Sequence, residues 1–239
     1  MHLPRTVPIA LLASAIIYIP LVFLRAIVPP MAWETRIGWP HAAIMRFVGI
    51  VVLAVLTLVT MACSRGIPWG DFGFRRSDGA WLKLAAGAVL LGFASTLTLK
   101  ASGGAGLDAK LVDATPLQIL LVVLLASCVE ELFVRGWMQG FLAPLRRRVV
   151  GLRGVRVSIP VATGALAFGA MHLSLALSPI DALTLACVVA FTTLLGLLAG
   201  LARERTGSLL PAIGTHLAGN VGGILGGVAS AIAAGSSHG

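Results

Sequence analysis

Residues 117–141 read LQILLVVLLASCVEELFVRGWMQGF, an apolar run that is interrupted by two adjacent acids and one base. A transmembrane helix needs about 20 mostly apolar residues, so this run is long enough to cross a bilayer. An ionisable side chain near the bilayer centre costs about 2.5–3.5 kcal/mol on insertion scales, and such residues usually mark a functional site. The stretch therefore predicts a membrane-spanning helix that carries charged residues for a functional or structural reason.

The rest of the chain shares this apolar character. Of its 239 residues, 58% are hydrophobic and 11% are charged, and the mean hydropathy is +0.97, whereas soluble domains carry about a quarter charged residues. Membrane β-strands would give alternating segments of about 10 residues instead of long apolar runs. The sequence predicts an all-α, polytopic transmembrane helical bundle of about seven spans, with eight as the alternative and no separate soluble domain. The predicted spans are 7–28, 42–63, 81–99, 117–141, 158–176, 181–202 and 209–233.

Loop charges predict the orientation of the chain, because seven spans place alternate loops on opposite sides of the membrane. One side carries Arg36, Lys100 and Lys110, and the other carries Arg65, Arg75, Arg76, Arg146, Arg147, Arg148, Arg153, Arg156, Arg203 and Arg205. Since basic loops face the cytoplasm, we expect a cytoplasmic N-terminus and a C-terminus outside. The net charge of +9 then reflects membrane orientation. No nucleic-acid binding is expected, because the basic residues do not follow one element with interleaved aromatics.

The fourth span contains the pattern Glu130, Glu131 and Arg135. Glu131 and Arg135 are four residues apart with the acid first, so they can pair on one face of a helix. Glu130 is then rotated by about 100° and left free for acid–base chemistry. The structural alternative is that all three residues form one buried ion-pair network that holds helices together.

Two later spans also contain polar residues. Phe168 and His172 share one face of the fifth span at i, i+4, so an aromatic ring can lie one turn before the imidazole. His216 and Asn220 share one face of the seventh span in the same way. The structural alternative is that these side chains serve helix packing, for which the neighbouring glycines are well suited.

Taken together, three short motifs occur in order on three predicted membrane helices. They are Glu130-Glu131-Leu-Phe-Val-Arg135, Phe168-Gly-Ala-Met-His172 and His216-Leu-Ala-Gly-Asn220. This combination resembles the signature of the CPBP family, which includes the type II CAAX prenyl endopeptidases and bacterial relatives called Abi or bacteriocin-processing proteins. The resemblance divides the chain into N-terminal membrane helices (1–114), a CPBP-like protease core (115–225) and the end of the last helix with a short tail (226–239).

The resemblance implies an intramembrane endopeptidase that acts on a membrane-associated or lipidated peptide or protein. In this family's scheme Glu130 and His172 activate the water that attacks the scissile carbonyl, while His216 and Asn220 stabilise the oxyanion. Glu131, Arg135 and Phe168 would shape the site around them. Such chemistry agrees with the residues themselves, because a carboxylate beside an imidazole can take a proton from water and an Asn amide is a suitable oxyanion donor.

No cofactor is expected. One Glu and two His could ligate zinc with an open water position, but the sequence lacks the H-E-x-x-H pattern and the resemblance favours a metal-free mechanism. Two other functions compete with the protease. One is a non-catalytic immunity or scaffold membrane protein of the same fold, and the other is a proton-coupled transporter, which would be expected to contain two related halves.

The short chain, rich in Ala, Gly and Arg, is typical of a bacterial protein. We therefore expect an integral protein of the bacterial plasma (inner) membrane, whose partners are the lipid bilayer and a membrane-associated substrate. No sequence pattern specifies an oligomeric state.

Overall fold

Seven helical segments dominate the computed structural model, which describes residues 6–28, 41–64, 66–77, 81–103, 115–152, 155–177 and 180–236. Six of these segments are long and apolar enough to cross a membrane, and the seventh is an interrupted helix. We number them α1 (Thr6–Ile27), α2 (His41–Cys63), α3 (Leu82–Ala101), α4 (Pro116–Glu131 with its continuation), α5 (Ile159–Met171), α6 (Ala182–Thr206) and α7 (Leu209–Ser236).

Helix α4 changes its winding where the charged residues lie. It runs as an α-helix over Pro116–Glu131, continues as a π-helix over Leu132–Met138 and ends in an α-helical turn over Gln139–Phe141. The three pieces are contiguous and cover the predicted span 117–141. All seven predicted spans thus coincide with helical segments, and the predicted all-α polytopic membrane bundle is confirmed. The π-helix was not predicted; such segments are rare and frequent at functional sites.

The connection between α4 and α5 contains a small β-hairpin that was not predicted. Strand β1 (Val149–Leu152) pairs antiparallel with β2 (Val155–Ser158), with Val150 opposite Val157. An isolated two-stranded hairpin is marginally stable, so its attachment to α5 matters. The Ile159 amide donates to the Arg148 carbonyl (2.9 Å), and Ser158 caps α5 by accepting from the Val161 amide (3.3 Å).

A 3₁₀ turn between α2 and α3, Trp69–Phe72, fastens this loop to the bundle. Phe72 is only 1% exposed and packs against α4, where a Cβ on Gly140 would lie 2.8 Å from the Phe72 ring. The carbonyl of Asp71 accepts a hydrogen bond from Arg203 Nη2 (2.7 Å). The loop therefore links the end of α4 to the end of α6.

The position of Arg203 differs from the sequence-based prediction. The sequence placed it in a loop beyond a span ending at 202, but α6 continues to Thr206 and Arg203 is only 2% exposed. The Asp71 carbonyl accepts a hydrogen bond from this guanidinium within the protein. Of the other loop residues, Arg36, Arg65, Arg153 and Lys110 lie outside the described residues, as do positions 237–239 of the predicted tail.

Helices α3 and α7 approach each other closely through glycines. A Cβ on Gly92 of α3 would overlap the Gly219 carbonyl oxygen, and a Cβ on Gly222 of α7 would overlap the Val89 carbonyl oxygen. Small residues allow such backbone contact between membrane helices. Helix α7, which carries His216 and Asn220, is thus fixed against α3 on one side.

The π-helical part of α4 forms the centre of the core. Phe133, Trp137 and Phe141 stack along one side with ring centroids 5.6 and 6.4 Å apart. Buried residues of α1, α2 and α5 surround this segment. The part of the chain in which the charged motif lies is therefore the part most completely enclosed by other helices.

Candidate active site

Glu131 connects α4 to α7 at the centre of the candidate site. Its side chain is fully buried, and Oε1 accepts hydrogen bonds from Arg135 Nη1 (3.1 Å) and from His216 Nδ1 (2.9 Å). The predicted pairing of Glu131 with Arg135 is present. Because a carboxylate only accepts hydrogen bonds, Nδ1 of His216 carries the proton and Nε2 is directed to the other side of the ring.

Arg135 ties the same network to α5 and α6. Its Nη2 donates to the Gly196 carbonyl (2.8 Å), and its guanidinium carbon lies 4.5 Å from the centre of the Phe168 ring. A Cβ on Gly196 would lie 2.8 Å from Nη2, so only glycine leaves room for this contact. The guanidinium is completely buried and combines an ion pair, a backbone hydrogen bond and a cation–π contact.

Phe168 lies between the two histidines. Its ring is edge-to-face with both imidazoles, with centroids 5.2 Å from His172 and 5.2 Å from His216. The sequence predicted the contact with His172 alone. Phe168 therefore forms a common wall for two motifs and, through its other contact with Arg135, joins all three.

His172 marks the point where α5 ends and a 3₁₀ turn, His172–Leu177, begins. Its Nδ1 lies 2.9 Å from the Phe168 carbonyl. Since that carbonyl can only accept, Nδ1 carries the proton, and the neutral ring presents the lone pair of Nε2. The half-buried imidazole is thus oriented as a hydrogen-bond acceptor or base.

Glu130 is the accessible carboxylate of the motif, with 26% of its side chain exposed. Its Oε2 lies 3.9 Å from His216 Nε2, which is too long for a direct hydrogen bond. A polar separation of this size can be bridged by a water molecule. Within the described part of the chain, no ion pair or hydrogen bond joins Glu130 to His172. The structure therefore brings Glu130 to His216 more directly than to His172.

Asn220 is positioned by a residue that sequence analysis missed. Its Nδ2 donates to Ser127 Oγ (3.0 Å), and that hydroxyl donates to the Val123 carbonyl (2.8 Å). Ser127 is 1% exposed and lies one turn before Glu130 and Glu131 on α4. A polar residue one turn before the acids in an otherwise apolar run was a usable signal.

Residues 113–222 match a family model described as type II CAAX prenyl endopeptidase Rce1-like. Over these residues the chain is similar to that family. The matched range includes every predicted site residue, and the resemblance inferred from the three motifs is confirmed. No curated protein and no solved structure matches the chain in the corresponding comparisons. The match supports a CAAX-type intramembrane protease fold for this part of the chain.

A second polar contact joins α4 to α6 within the matched range. One turn beyond Arg135, Gln139 Nε2 donates to the Gly200 carbonyl (3.1 Å) and is 4% exposed. Arg135 and Gln139 therefore reach carbonyls of α6 that are one turn apart. These two hydrogen bonds fix the register of α4 against α6, and through it the direction in which the acids point.

No group of three His, Cys, Asp or Glu side chains in the described segments is arranged to hold a metal ion. Glu131 and His216 already use their facing atoms on each other. The described residues thus present no assembled set of zinc ligands, and the expected metal-free mechanism stays a prediction to be tested with a chelator.

Chemically, the candidate site combines an accessible carboxylate with two imidazoles whose Nδ1 atoms both take part in hydrogen bonds. Glu131 holds one imidazole and a backbone carbonyl holds the other. Each ring therefore offers only Nε2 for chemistry. Such fixed orientation is what acid–base chemistry requires of its side chains, because proton transfer depends first on geometry.

Proposed function

We propose that the protein is an intramembrane endopeptidase that hydrolyses a peptide bond in a membrane-associated or lipidated protein or peptide. The observation that carries the proposal is the pairing of a partly exposed Glu130 with His216 Nε2, while Glu131 holds the opposite nitrogen of the same ring. The Rce1-like match supplies the reaction class.

Glu130 acts as the general base in this proposal. Its carboxylate accepts a proton from a water molecule, whose oxygen then attacks the carbonyl carbon of the scissile bond. His172 supports the attack, because its free Nε2 lone pair can accept the second hydrogen of the same water. The proton held by Glu130 is later delivered to the leaving amine, so that the carbon–nitrogen bond breaks and the carboxylate is regenerated.

His216 and Asn220 stabilise the negative charge that develops on the carbonyl oxygen. Because Nδ1 of His216 donates to Glu131, Nε2 can donate to the reacting group only when the ring carries a proton on both nitrogens, a positive charge that lies between Glu130 and Glu131. The Asn220 amide uses one hydrogen on Ser127 and retains a second one. Donors of this kind contribute about 3–4 kcal/mol to transition-state stabilisation in soluble enzymes.

The arrangement in the membrane follows from the loop charges. We assign the protein to a bacterial plasma membrane, with the N-terminus in the cytoplasm and the C-terminus outside, since the arginine-rich loops mark the inner side. The substrate would then be cleaved within the bilayer by residues of α4, α5 and α7.

The test uses purified protein in liposomes with two fluorogenic peptide sets of equal sequence, one farnesylated and one unmodified. Glu130→Gln and His172→Ala are compared with wild type and with Glu204→Gln, a control carboxylate on α6 that lies outside the three motifs. Loss of a positioned general base should lower cleavage by about 10²–10⁴-fold, whereas the control should retain it. Each variant is first checked for a monodisperse elution profile.

Two results would contradict the proposal. Full cleavage by folded Glu130→Gln would remove the assigned base, and cleavage that is lost with a chelator and restored by zinc would replace the metal-free mechanism. Absence of cleavage of either peptide set by wild type would favour a non-catalytic protein of the same fold. The farnesylated and unmodified sets separate a lipidated substrate from an ordinary membrane peptide.

A further inference from the structure

Most exposed arginines of the described chain lie at one end of the bundle. This end is formed by the turn after α2, the hairpin region between α4 and α5, and the junction of α6 and α7. Seven arginines are exposed there: Arg75, Arg76, Arg146, Arg147, Arg148, Arg156 and Arg205. We call this set the arginine surface.

Direct contacts show that these segments form one surface. The Leu209 amide, at the start of α7, donates to the Gly73 carbonyl in the turn after α2 (3.0 Å). Arg75 lies at the junction of α6 and α7, where a Cβ on Gly207 would be 3.2 Å from its Cδ, and Ser158 at the end of β2 donates to Glu204 of α6. The loops therefore gather their positive charges around a common point.

Acidic residues do not neutralise this charge. Among the described residues of these loops, the carboxylates are Asp71, which lies 3.6 Å from Arg75, and Glu204, which accepts a hydrogen bond from Ser158. Arg146, Arg147 and Arg148 follow each other directly at the entrance to β1, where like charges repel. Most of the positive charge on this surface is therefore available to an anionic partner.

Exposed aromatic rings beside the arginines indicate what that partner is. Trp69 and Phe74 are 51% and 48% exposed, and their ring centroids lie 5.5 Å apart. Aromatic side chains at the ends of membrane helices favour the boundary between headgroups and acyl chains. Basic side chains beside such rings attract anionic lipid headgroups through their positive charge.

We propose that the arginine surface binds the headgroups of anionic phospholipids of the protein's own membrane, with Trp69 and Phe74 inserted beside them. A soluble anion would satisfy the charge but would leave the two rings in water. Clusters of four to eight basic residues next to a membrane helix are typical of binding to anionic lipid. The proposal is independent of the proposed protease activity.

The experiment measures lipid binding directly. Protein purified in nonionic detergent is titrated with phosphatidylglycerol or phosphatidylcholine, and bound lipids are counted by native mass spectrometry. Each arginine near an anionic surface should change lipid affinity by about fivefold. Wild type should therefore bind phosphatidylglycerol at least about tenfold more tightly than phosphatidylcholine.

Two triple variants test the cause of that preference. Changing Arg146, Arg147 and Arg148 to Gln together should remove most of it, and changing the same three residues to Lys should retain it because the charge is kept. Trp69→Ala should weaken binding of both lipids to a similar degree. All these side chains are exposed, so the variants should keep the fold, which a thermal unfolding curve checks.

The proposal is overturned if wild type binds both lipids equally or if the Gln triple variant keeps the full preference. It is also overturned if the Lys triple variant loses the preference as completely as the Gln variant, since charge would then not be the determinant. Displacement of the lipid by millimolar inorganic phosphate would identify a simple anion site instead of a lipid surface.

Discussion

Replacing Arg135 by Met tests whether the buried network stabilises the fold as a unit. The guanidinium is completely buried, and the substitution removes its ion pair with Glu131, its hydrogen bond to Gly196 and its contact with Phe168. Glu131 then remains buried with His216 as its one hydrogen-bond partner among the described residues. The main cost arises from this uncompensated carboxylate.

The magnitude follows from the chemistry of buried pairs. Removing one partner of a buried ion pair typically costs about 3–5 kcal/mol, because the remaining charge is left without compensation. We expect Arg135→Met to lower the free energy of unfolding by that amount. A double variant, Glu131→Gln with Arg135→Met, should be at least about 1 kcal/mol more stable than Arg135→Met alone, since no unpaired charge remains. Gln also preserves an acceptor for His216 Nδ1.

The assay is reversible unfolding by SDS in mixed micelles, followed by circular dichroism. Arg205→Met on the exposed end of α6 is the matched control, and a surface change of this kind should alter stability by no more than about 0.5 kcal/mol. A double variant as unstable as the sum of the two single variants would refute the reasoning, because the charges would then contribute independently.

Three further predictions concern packing, positioning and pH. Gly222→Ala should lower the free energy of unfolding by about 1–3 kcal/mol in the same SDS assay, because the added Cβ would overlap a carbonyl oxygen of α3. Gly227→Ala is the control and should leave stability unchanged, because a Cβ at that position would meet open space. Ser127→Ala should lower kcat by up to about tenfold with little change in KM, because Asn220 loses the acceptor that orients it. Hydrogen bonds from Thr184 hold the pKa of Asp181 below its usual range. The stabilisation from these hydrogen bonds is complete above the ordinary pKa of an aspartate and is lost as the pH falls through the lowered pKa of Asp181. Asp181→Asn should therefore flatten the decline in melting temperature between about pH 5 and pH 3.

Each of these predictions has an opposing result. Equal stability of the two glycine variants would show that the α3–α7 interface can separate without cost. An unchanged kcat in the Ser127 variant would mean that Asn220 needs no fixed orientation or takes no part in turnover. A parallel acid decline in wild type and Asp181→Asn would assign the pH dependence to other groups.

Much of the architecture could be predicted because a membrane imposes it. Backbone groups in hydrocarbon must be paired internally, so long apolar runs become helices whatever surrounds them. The pairing of Glu131 with Arg135 was equally predictable, since it depends on residues within one helix. Features of this local kind, including the face shared by Phe168 and His172, agree with the structure.

Features that depend on other helices could not be predicted from the sequence. The π-helix over Leu132–Met138 includes Arg135, although the spacing of the motif fits an ordinary α-helix, and this segment is enclosed by the surrounding core. Arg203 was assigned to a loop, because nothing nearby in the sequence reveals the Asp71 carbonyl that receives it. Ser127 is a polar residue in an apolar run, but its role could not be predicted because its partner, Asn220, lies on α7.

The position of Glu131 and Arg135 on a single helix has a consequence for how the protein is made. When α4 leaves the ribosome, α6 and α7 have not yet been synthesised, so neither the Gly196 carbonyl nor His216 is available. The two opposite charges can neutralise each other within α4 at that moment, which lowers the cost of its transfer into lipid. Later helices then attach to a pair that already exists, and the site is completed only when the last span arrives.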